Sequence, residues 1–247
     1  MNKNKIIISS LLLFFLMPVV SYAAPATILY FSEHEQGSDE VLITMTITNQ
    51  YLRIDDRLIK KSNQETEENK GFVLFDRKNK EIYSVSSEEQ QIIKIKHVAV
   101  TIPSPIELKL NTLSLDRDKN APLIEGKKIQ HKQIYVNDKL CSNIITVPGL
   151  MPDAVTALKS FNQVLAGQQT ETLRYIPGDL HEACDLARHS FYPQSHLENG
   201  FPMMMQTIGE SGKIEDIKST RVLIDFKEKD VSDDFFALPE YDIVKIN

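Results

Sequence analysis

The stretch HEACDLARH, from His181 to His189, holds more chemically capable side chains than any other part of the sequence. Two of the six histidines and one of the two cysteines fall within it. If the stretch is helical, His181, Asp185 and His189 share one face, where three ligands could hold a metal ion. The neighbouring Arg188 opposes a bound cation, however, and polar helix faces are commonly solvated. We therefore expect a wet helix face here and no metal site.

The first residues of the chain predict export. Two lysines precede an apolar run from Ile6 to Val20, and Ser21-Tyr22-Ala23 has the small residues of a cleavage site. This is the pattern of a secretory signal peptide, because the apolar run is too short and wrongly flanked for a transmembrane anchor. We assign residues 1–23 to a signal peptide and residues 24–247 to a single domain in the periplasm, with no stable membrane anchor.

Export changes how Cys184 is interpreted. Two cysteines in an exported chain favour one disulfide, between Cys141 and Cys184. A nucleophilic Cys184 with His181 as its base is disfavoured, because an apolar helix face raises a thiol pKa instead of lowering it. Two free thiols or metal ligation are the remaining alternatives to the disulfide.

Composition and motifs argue against several classes of function. The formal net charge of −6 argues against nucleic acid, because phosphate binding needs clustered lysine and arginine. The sequence has no G-x-S-x-G elbow, and its glycines form neither G-x-G-x-x-G nor a P-loop. We expect no cofactor and no catalytic residue. A hydrolase that uses a dispersed histidine and aspartate pair, with His131 or His189, is the least favoured alternative.

The first half of the chain follows the period of a β-strand. In the run from Val41 to Thr48, every odd position is apolar and threonine dominates the even ones, which is typical of a half-buried strand. Further short runs follow with no helix between them, and the run GFVLFDRKNKEIYSVS has the pattern of a hairpin. The sequence therefore predicts a mainly β (α+β) fold with an antiparallel sheet. The stretch from Asn111 to Glu125 is predicted as a long loop.

The pattern becomes helical between about residues 149 and 199, as an insertion between early and late strands. A first helix should begin near Pro152 and end just before Gly167. A second should begin at Pro177-Gly178-Asp179, with Asp179 and Glu182 as a capping pair. Its apolar face would be formed by Leu180, Ala183, Cys184, Ala187 and Phe191.

The methionines suggest where an apolar ligand could bind. In the run FPMMM, Met203 and Met205 would share one face of a strand, with Met204 on the other. Thioethers are flexible and tolerate varied apolar neighbours, so Met203 and Met205 could form one wall of a cavity with Met45 and Phe161. Filling of the protein's own core is the alternative.

Short motifs along the chain resemble the LolA-like superfamily of periplasmic carriers, and within it a family of exported domains without assigned function. They are the runs ITMTITNQYLRIDD, GFVLFDRKNKEIYSVS and LPEYDIVKI. The resemblance implies a strongly curved antiparallel sheet, an incomplete barrel, whose concave face is covered by helices and shelters acyl chains. The chain differs from the lipoprotein carriers in its cysteine pair and its larger helical insertion. It has no obvious amphipathic helix before the first strand.

From these features we expect a non-catalytic protein that binds or shuttles an apolar or lipidic molecule in a half-barrel cavity. Met45, Phe161, Met203 and Met205 are the expected ligand-binding residues. The alternative is a binding or scaffolding module for an envelope protein, with the cavity filled by its own side chains.

Overall fold

The structure is a computed structural model that describes residues 23–59, 71–115, 121–173, 175–177 and 180–246. The predicted signal peptide, apart from Ala23, lies outside the described residues.

The described chain is built around one large, curved, open antiparallel sheet, which confirms the predicted mainly β class. Twelve strands form this sheet in the order β14-β6-β5-β4-β3-β2-β1-β13-β12-β11-β10-β7, while β8 and β9 pair separately. Neighbouring strands are antiparallel except β14, which runs parallel to β6. The strands are β1 (Ala23–Glu35), β2 (Glu40–Ile47), β3 (Tyr51–Ile59), β4 (Gly71–Asp76), β5 (Glu81–Ser86), β6 (Gln91–Lys96), β7 (Leu110–Ser114), β8 (Leu123–Ile124), β9 (Lys127–Lys128), β10 (Gln130–Val136), β11 (Lys139–Val147), β12 (Phe201–Ile208), β13 (Ile217–Ser232) and β14 (Asp242–Ile246).

The predicted hairpin is β4–β5, and its turn is stabilised locally. The Asp76 carboxylate accepts hydrogen bonds from the backbone N–H groups of Lys78 (3.0 Å) and Asn79 (2.9 Å). An aspartate in this position organises a turn without help from the rest of the fold. The turn closes through Lys80, which has a positive φ of 53°.

Strand β7 corrects the prediction of a long loop between Asn111 and Glu125. It pairs with β10 at one edge of the sheet, and its residues from Asn111 to Ser114 are exposed. An edge strand of this kind is held by main-chain hydrogen bonds and buries little apolar surface. It therefore leaves almost no alternating pattern in the sequence.

The core lies between the concave face of the sheet and helix α1 (Pro152–Leu173). Burial of this apolar surface, at about 25 cal/mol per Å², is the main force that holds the helix against the sheet. The fully or nearly buried members include Leu29, Ile47, Leu52, Phe75, Ile82, Phe201, Ala154, Ala157 and Val164.

Helix α1 runs beyond the predicted end at Gly167. A Cβ at Gly167 would collide with the backbone carbonyl of Val98, in the segment that follows β6. Gly167 therefore lies within the helix and allows it to pack closely against the Val98 segment, and it does not terminate the helix. At the start of the helix, Arg77 forms an ion pair with Asp153 (2.8 and 2.7 Å) and donates to the Thr48 carbonyl oxygen.

The second helical segment begins later than predicted. Helix α2 (Ala183–Leu186) continues into a π-turn, Ala187–Phe191, and Glu182 makes no side-chain capping bond. Leu180 precedes this helix and is 67% exposed, so it takes no part in the predicted apolar face. Asp179 lies outside the described residues. A 3₁₀ turn, Ser195–Leu197, then leads into β12.

The chain crosses from the middle of the sheet to its edge between β13 and β14. A 3₁₀ turn, Asp233–Phe236, holds this crossing on β3 and β4. The Arg53 guanidinium lies between the Phe72 and Phe235 rings, at 3.8 and 4.3 Å from their centroids. Phe236 stacks on Tyr51 with 5.3 Å between centroids. These contacts hold the 3₁₀ turn against the convex side of the sheet.

Candidate functional site

An apolar cavity of about 180 Å³ lies between the concave face of the sheet and α1. Strands β1, β2, β3, β12 and β13 supply its floor, and α1 with the 3₁₀ turn at Ser195–Leu197 supplies its roof. The side chains around it are Phe31, Ile43, Met45, Ile54, Leu158, Phe161, Asn162, His196, Leu197, Pro202, Met205 and Arg221.

Three of the four residues proposed for ligand binding lie around this cavity, and the fourth does not. Met45, Phe161 and Met205 line it, while Met203 packs against the edge of the main core. Whether any of them binds a ligand stays a prediction. Met203 is displaced because β12 contains a bulge: Met204 pairs with Ile145, but the next pair along is Pro202 with Thr146. The strict alternation that would place Met203 beside Met205 is broken there.

Phe161 is held in place by a second ring. It packs edge-on against Phe75, with 5.7 Å between centroids. Phe75 is fully buried in β4, so the aromatic contact ties the cavity side of α1 to the sheet.

His196 is a buried polar group beside the cavity. Burial, followed by the neighbouring cations Arg221 and Arg188, lowers the pKa of His196 from 6.5 to about 4. Its Nε2 lies 3.5 Å from Asn162 Nδ2, which is a weak contact at best. The imidazole is therefore neutral at pH 7.

An ion pair marks the boundary between the cavity and the outside. Arg221 on β13 donates to Glu33 Oε2 on β1 through Nε (3.0 Å) and Nη2 (2.6 Å). The two residues are direct partners in the antiparallel register of these strands. The pairing neutralises Glu33 within the site.

Beyond this boundary lies a polar cleft of about 570 Å³, which we call the vestibule. The two spaces are adjacent, because five side chains line both of them: Phe161, Asn162, His196, Met205 and Arg221. The charged and titratable side chains of the vestibule are Glu33, Glu35, Asp185, Arg188, His189, His196, Lys218 and Arg221.

The vestibule includes part of the HEACDLARH stretch. Arg188, expected on a solvated face, is mostly buried, with 19% of its side chain exposed. It donates to the Cys141 carbonyl oxygen (3.1 Å) and lies 3.9 Å from Asp185. Burial lowers the pKa of Arg188, and burial with nearby Arg188 lowers that of His189. Within the described ranges, no group of three or more His, Cys, Asp or Glu residues is arranged to hold a metal ion.

The predicted disulfide between Cys141 and Cys184 is confirmed, with 5.4 Å between the two Cα atoms. It joins β11 to α2, and both cysteines pack in a small buried cluster with Val136 and Ala187. The bond fixes the helical wall of the vestibule to the sheet.

Among the described residues, neither histidine of the hydrolase alternative makes a side-chain hydrogen bond to a carboxylate or hydroxyl. His131 contacts the Asn143 side chain on β11. His189 lies in the wall of the vestibule with part of its side chain enclosed and part exposed, and among the described residues that side chain makes no hydrogen bond to a carboxylate or hydroxyl. The expected lack of catalytic residues stays a prediction.

The cavity is small for a lipid chain. An apolar cavity of about 150 Å³ binds benzene, so a space of about 180 Å³ accepts a compact apolar group or a short end of a chain. A longer chain would require α1 to move away from the sheet. No described helix is long and apolar enough to cross a membrane.

No protein-family model matches the chain, and no curated protein matches its sequence. Among solved structures, an uncharacterised conserved protein from Thermus thermophilus is 9% identical, over 90% of this chain and 91% of its own, with a TM-score of 0.44. PNGF-II is 12% identical, over 91% of this chain and 31% of its own, with a TM-score of 0.39. A chain of the Pseudomonas aeruginosa MucA/MucB complex is 7% identical, over 90% of this chain and 59% of its own, with a TM-score of 0.34. This chain thus spans less than two thirds of the PNGF-II and MucA/MucB chains. Similarities of this size leave the LolA-like fold neither established nor contradicted.

Proposed function

We propose that this protein is an exported, non-catalytic binding protein that shelters an apolar or lipidic molecule between its curved sheet and α1. The observation that carries the proposal is the apolar cavity of about 180 Å³ beside the buried core of the sheet and α1. Protein interiors leave few voids larger than a water molecule. An apolar space of this size is therefore suited to an apolar ligand.

The physical mechanism is removal of the ligand's apolar surface from water. At about 25 cal/mol per Å², a few hundred Å² of buried hydrocarbon supplies several kcal/mol of affinity without a dedicated polar motif. The thioethers of Met45 and Met205 can adapt to ligands of different shape. The lack of a recognisable binding motif in the sequence is consistent with this mechanism.

Entry of a longer chain would involve α1. The helix is held to the sheet by its buried apolar face, by the Phe75–Phe161 contact and by the ion pair of Arg77 with Asp153, whose side chains are 13% and 60% exposed. Movement of α1 would expose part of that apolar face. The apolar surface that a longer chain buries would have to offset this loss.

Export to the periplasm and a LolA-like fold belong to the same proposal. The disulfide supports export, because such bonds persist mainly in oxidising compartments. The curved open sheet with helices on its concave side supports the carrier fold that the sequence motifs suggest. The expected residues are Met45, Phe161 and Met205, with Met203 as a supporting core residue.

The test is to fill the cavity and measure binding of a neutral apolar fluorophore such as N-phenyl-1-naphthylamine. Leu158 on α1 lines the cavity, and Leu113 on β7 is 47% exposed at the far edge of the sheet. Leu158→Trp should abolish binding, whereas Leu113→Trp, the matched control, should leave it unchanged. Since the chain has no other tryptophan, each variant also reports its own environment by fluorescence.

Binding that is equal in the two variants would mean that the probe sits elsewhere, and the proposal would fail. No binding by the unmodified protein, together with no co-purified apolar molecule in native mass spectrometry, would also refute it. That result would leave the interaction or scaffolding module as the better interpretation.

A further inference from the structure

The charges of the vestibule are not evenly paired. Of its three cationic side chains, Arg221 is engaged with Glu33. Lys218 makes no side-chain ion pair with any described residue. Arg188 has only the Cys141 carbonyl at 3.1 Å and the distant Asp185 carboxylate at 3.9 Å. A guanidinium has five N–H donors, so most of those on Arg188, which lines the vestibule, have no acceptor among the described residues.

The acidic groups of the vestibule do not offset this arrangement. Glu33 is neutralised by Arg221, and Glu35 and Asp185 are exposed at the rim. Exposed charges are screened by water and salt, and this applies to Lys218 as well as to these two carboxylates, whereas the mostly buried Arg188 is screened much less. The inner wall of the vestibule is therefore the positive part.

His196 lies in this positive field, at the junction with the cavity. After burial, the groups that lower the pKa of His196 are Arg221, Arg188, His189 and Lys159, all of them basic residues. A negative charge placed near the junction would be attracted by the same groups.

We propose that the vestibule binds the anionic head group, a carboxylate or a phosphate, of an amphiphile whose apolar part occupies the cavity. The Arg188 guanidinium and the Lys218 ammonium are the groups that contact the anion, with the free edge of Arg221 beside them. The inference rests on the proposed function and adds the chemical class of the ligand. The observation that carries it is a small apolar cavity adjacent to a cleft whose buried wall holds the incompletely paired Arg188 guanidinium.

The experiment compares ligands that share a decyl chain and differ in head group: decanoate, decyl phosphate, decanol and decylamine. Each is titrated by isothermal calorimetry into the oxidised protein at neutral pH, low salt and below its micelle concentration. Inorganic phosphate alone is a fifth ligand, which separates a head-group subsite from a free phosphate site. Charge-assisted hydrogen bonds predict that both anions bind about tenfold more tightly than decanol, and decylamine more weakly.

The variants Arg188→Gln and Lys218→Gln should each bring the anions to within about threefold of decanol while decanol itself binds as before. Arg57→Gln is the matched control, because Arg57 is exposed on β3 and lines neither space. If Arg188→Gln does not fold, the exposed Lys218 variant decides the question.

The failures of the two proposals are distinguishable. Equal affinities for all four head groups, or tightest binding of decylamine, would overturn the anionic head group and leave the apolar cavity intact. If inorganic phosphate bound as tightly as decyl phosphate, the anionic head-group proposal would also be overturned, because the decyl chain would then contribute nothing to the affinity. Binding of none of the decyl ligands would overturn the proposed function itself.

Discussion

Removal of the Cys141–Cys184 disulfide should destabilise the protein and loosen one wall of the vestibule. The bond closes a loop with a sequence separation of 43 residues. On the chain-entropy model, a loop of this size gives about 4 kcal/mol, and measured values are commonly lower. The double substitution Cys141→Ala and Cys184→Ala keeps the small buried cluster apolar, so we expect a loss of about 2–4 kcal/mol.

The loss should be measured by urea denaturation monitored by circular dichroism. The unfolding free energies of the unmodified protein and the double variant are compared with the same dependence on urea concentration. Hydrogen exchange adds the location: amides between Ala183 and Phe191 should lose protection first, because the disulfide connects this segment to β11. The unmodified protein in excess reductant is the control, and it should approach the stability of the double variant. A loss below about 1 kcal/mol, or unchanged protection in this segment, would refute the idea that the bond fixes the vestibule wall.

Three further outcomes follow from the packing and the titrating groups. Gly167→Ala should lower the free energy of unfolding by about 1–3 kcal/mol despite the better helix propensity of alanine, because the added Cβ meets the Val98 carbonyl. An unchanged or higher melting temperature would contradict this. Because the folded pKa of His196 is lowered to about 4, the unfolded chain binds an additional proton between that value and 6.5, so stability falls as the pH drops through this window. The loss of unfolding free energy is at most about 3 kcal/mol. Urea denaturation of His196→Gln at several pH values should show that its unfolding free energy depends less on pH than that of the unmodified protein. Phe161→Ala should cost about 3 kcal/mol and enlarge the cavity, so that bulkier neutral probes gain affinity relative to smaller ones; an unchanged preference in probe titrations would count against the cavity's position.

The strands can be predicted where one face is buried and the other is not. The run from Val41 to Thr48 and the β4–β5 hairpin carry their structure in local alternation and in the Asp76 turn. Strand β7 cannot be predicted in this way, because it is an exposed edge strand whose stability comes from backbone pairing with β10. The role of Gly167 is hidden for a similar reason: it depends on Val98, far away in sequence.

The candidate site is only partly predictable. Methionine chemistry points to Met45 and Met205, and helical spacing points to Phe161. The bulge that keeps Met203 out of the cavity lining has no local sequence signal in the FPMMM run.

The charged residues of the site depend on contacts between distant parts of the chain. The Glu33–Arg221 pair joins residues 188 positions apart, and it is set by strand register. Helical periodicity alone predicts a wet face at Arg188, because it does not show that β11 approaches that face. Pairing and burial of this kind are properties of the folded sheet and leave no local pattern.

The most direct test of the central claim is a methyl NMR titration of the protein, labelled at its methionine methyl groups, with decanol. Met45 and Met205 line the cavity, whereas Met204 pairs with the exposed Val222 and lies on the opposite face of β12. The account predicts saturable shifts of the Met45 and Met205 methyl signals while the Met204 signal stays in place. No shift at saturating decanol, or a shift confined to Met204, would contradict a ligand cavity beneath α1.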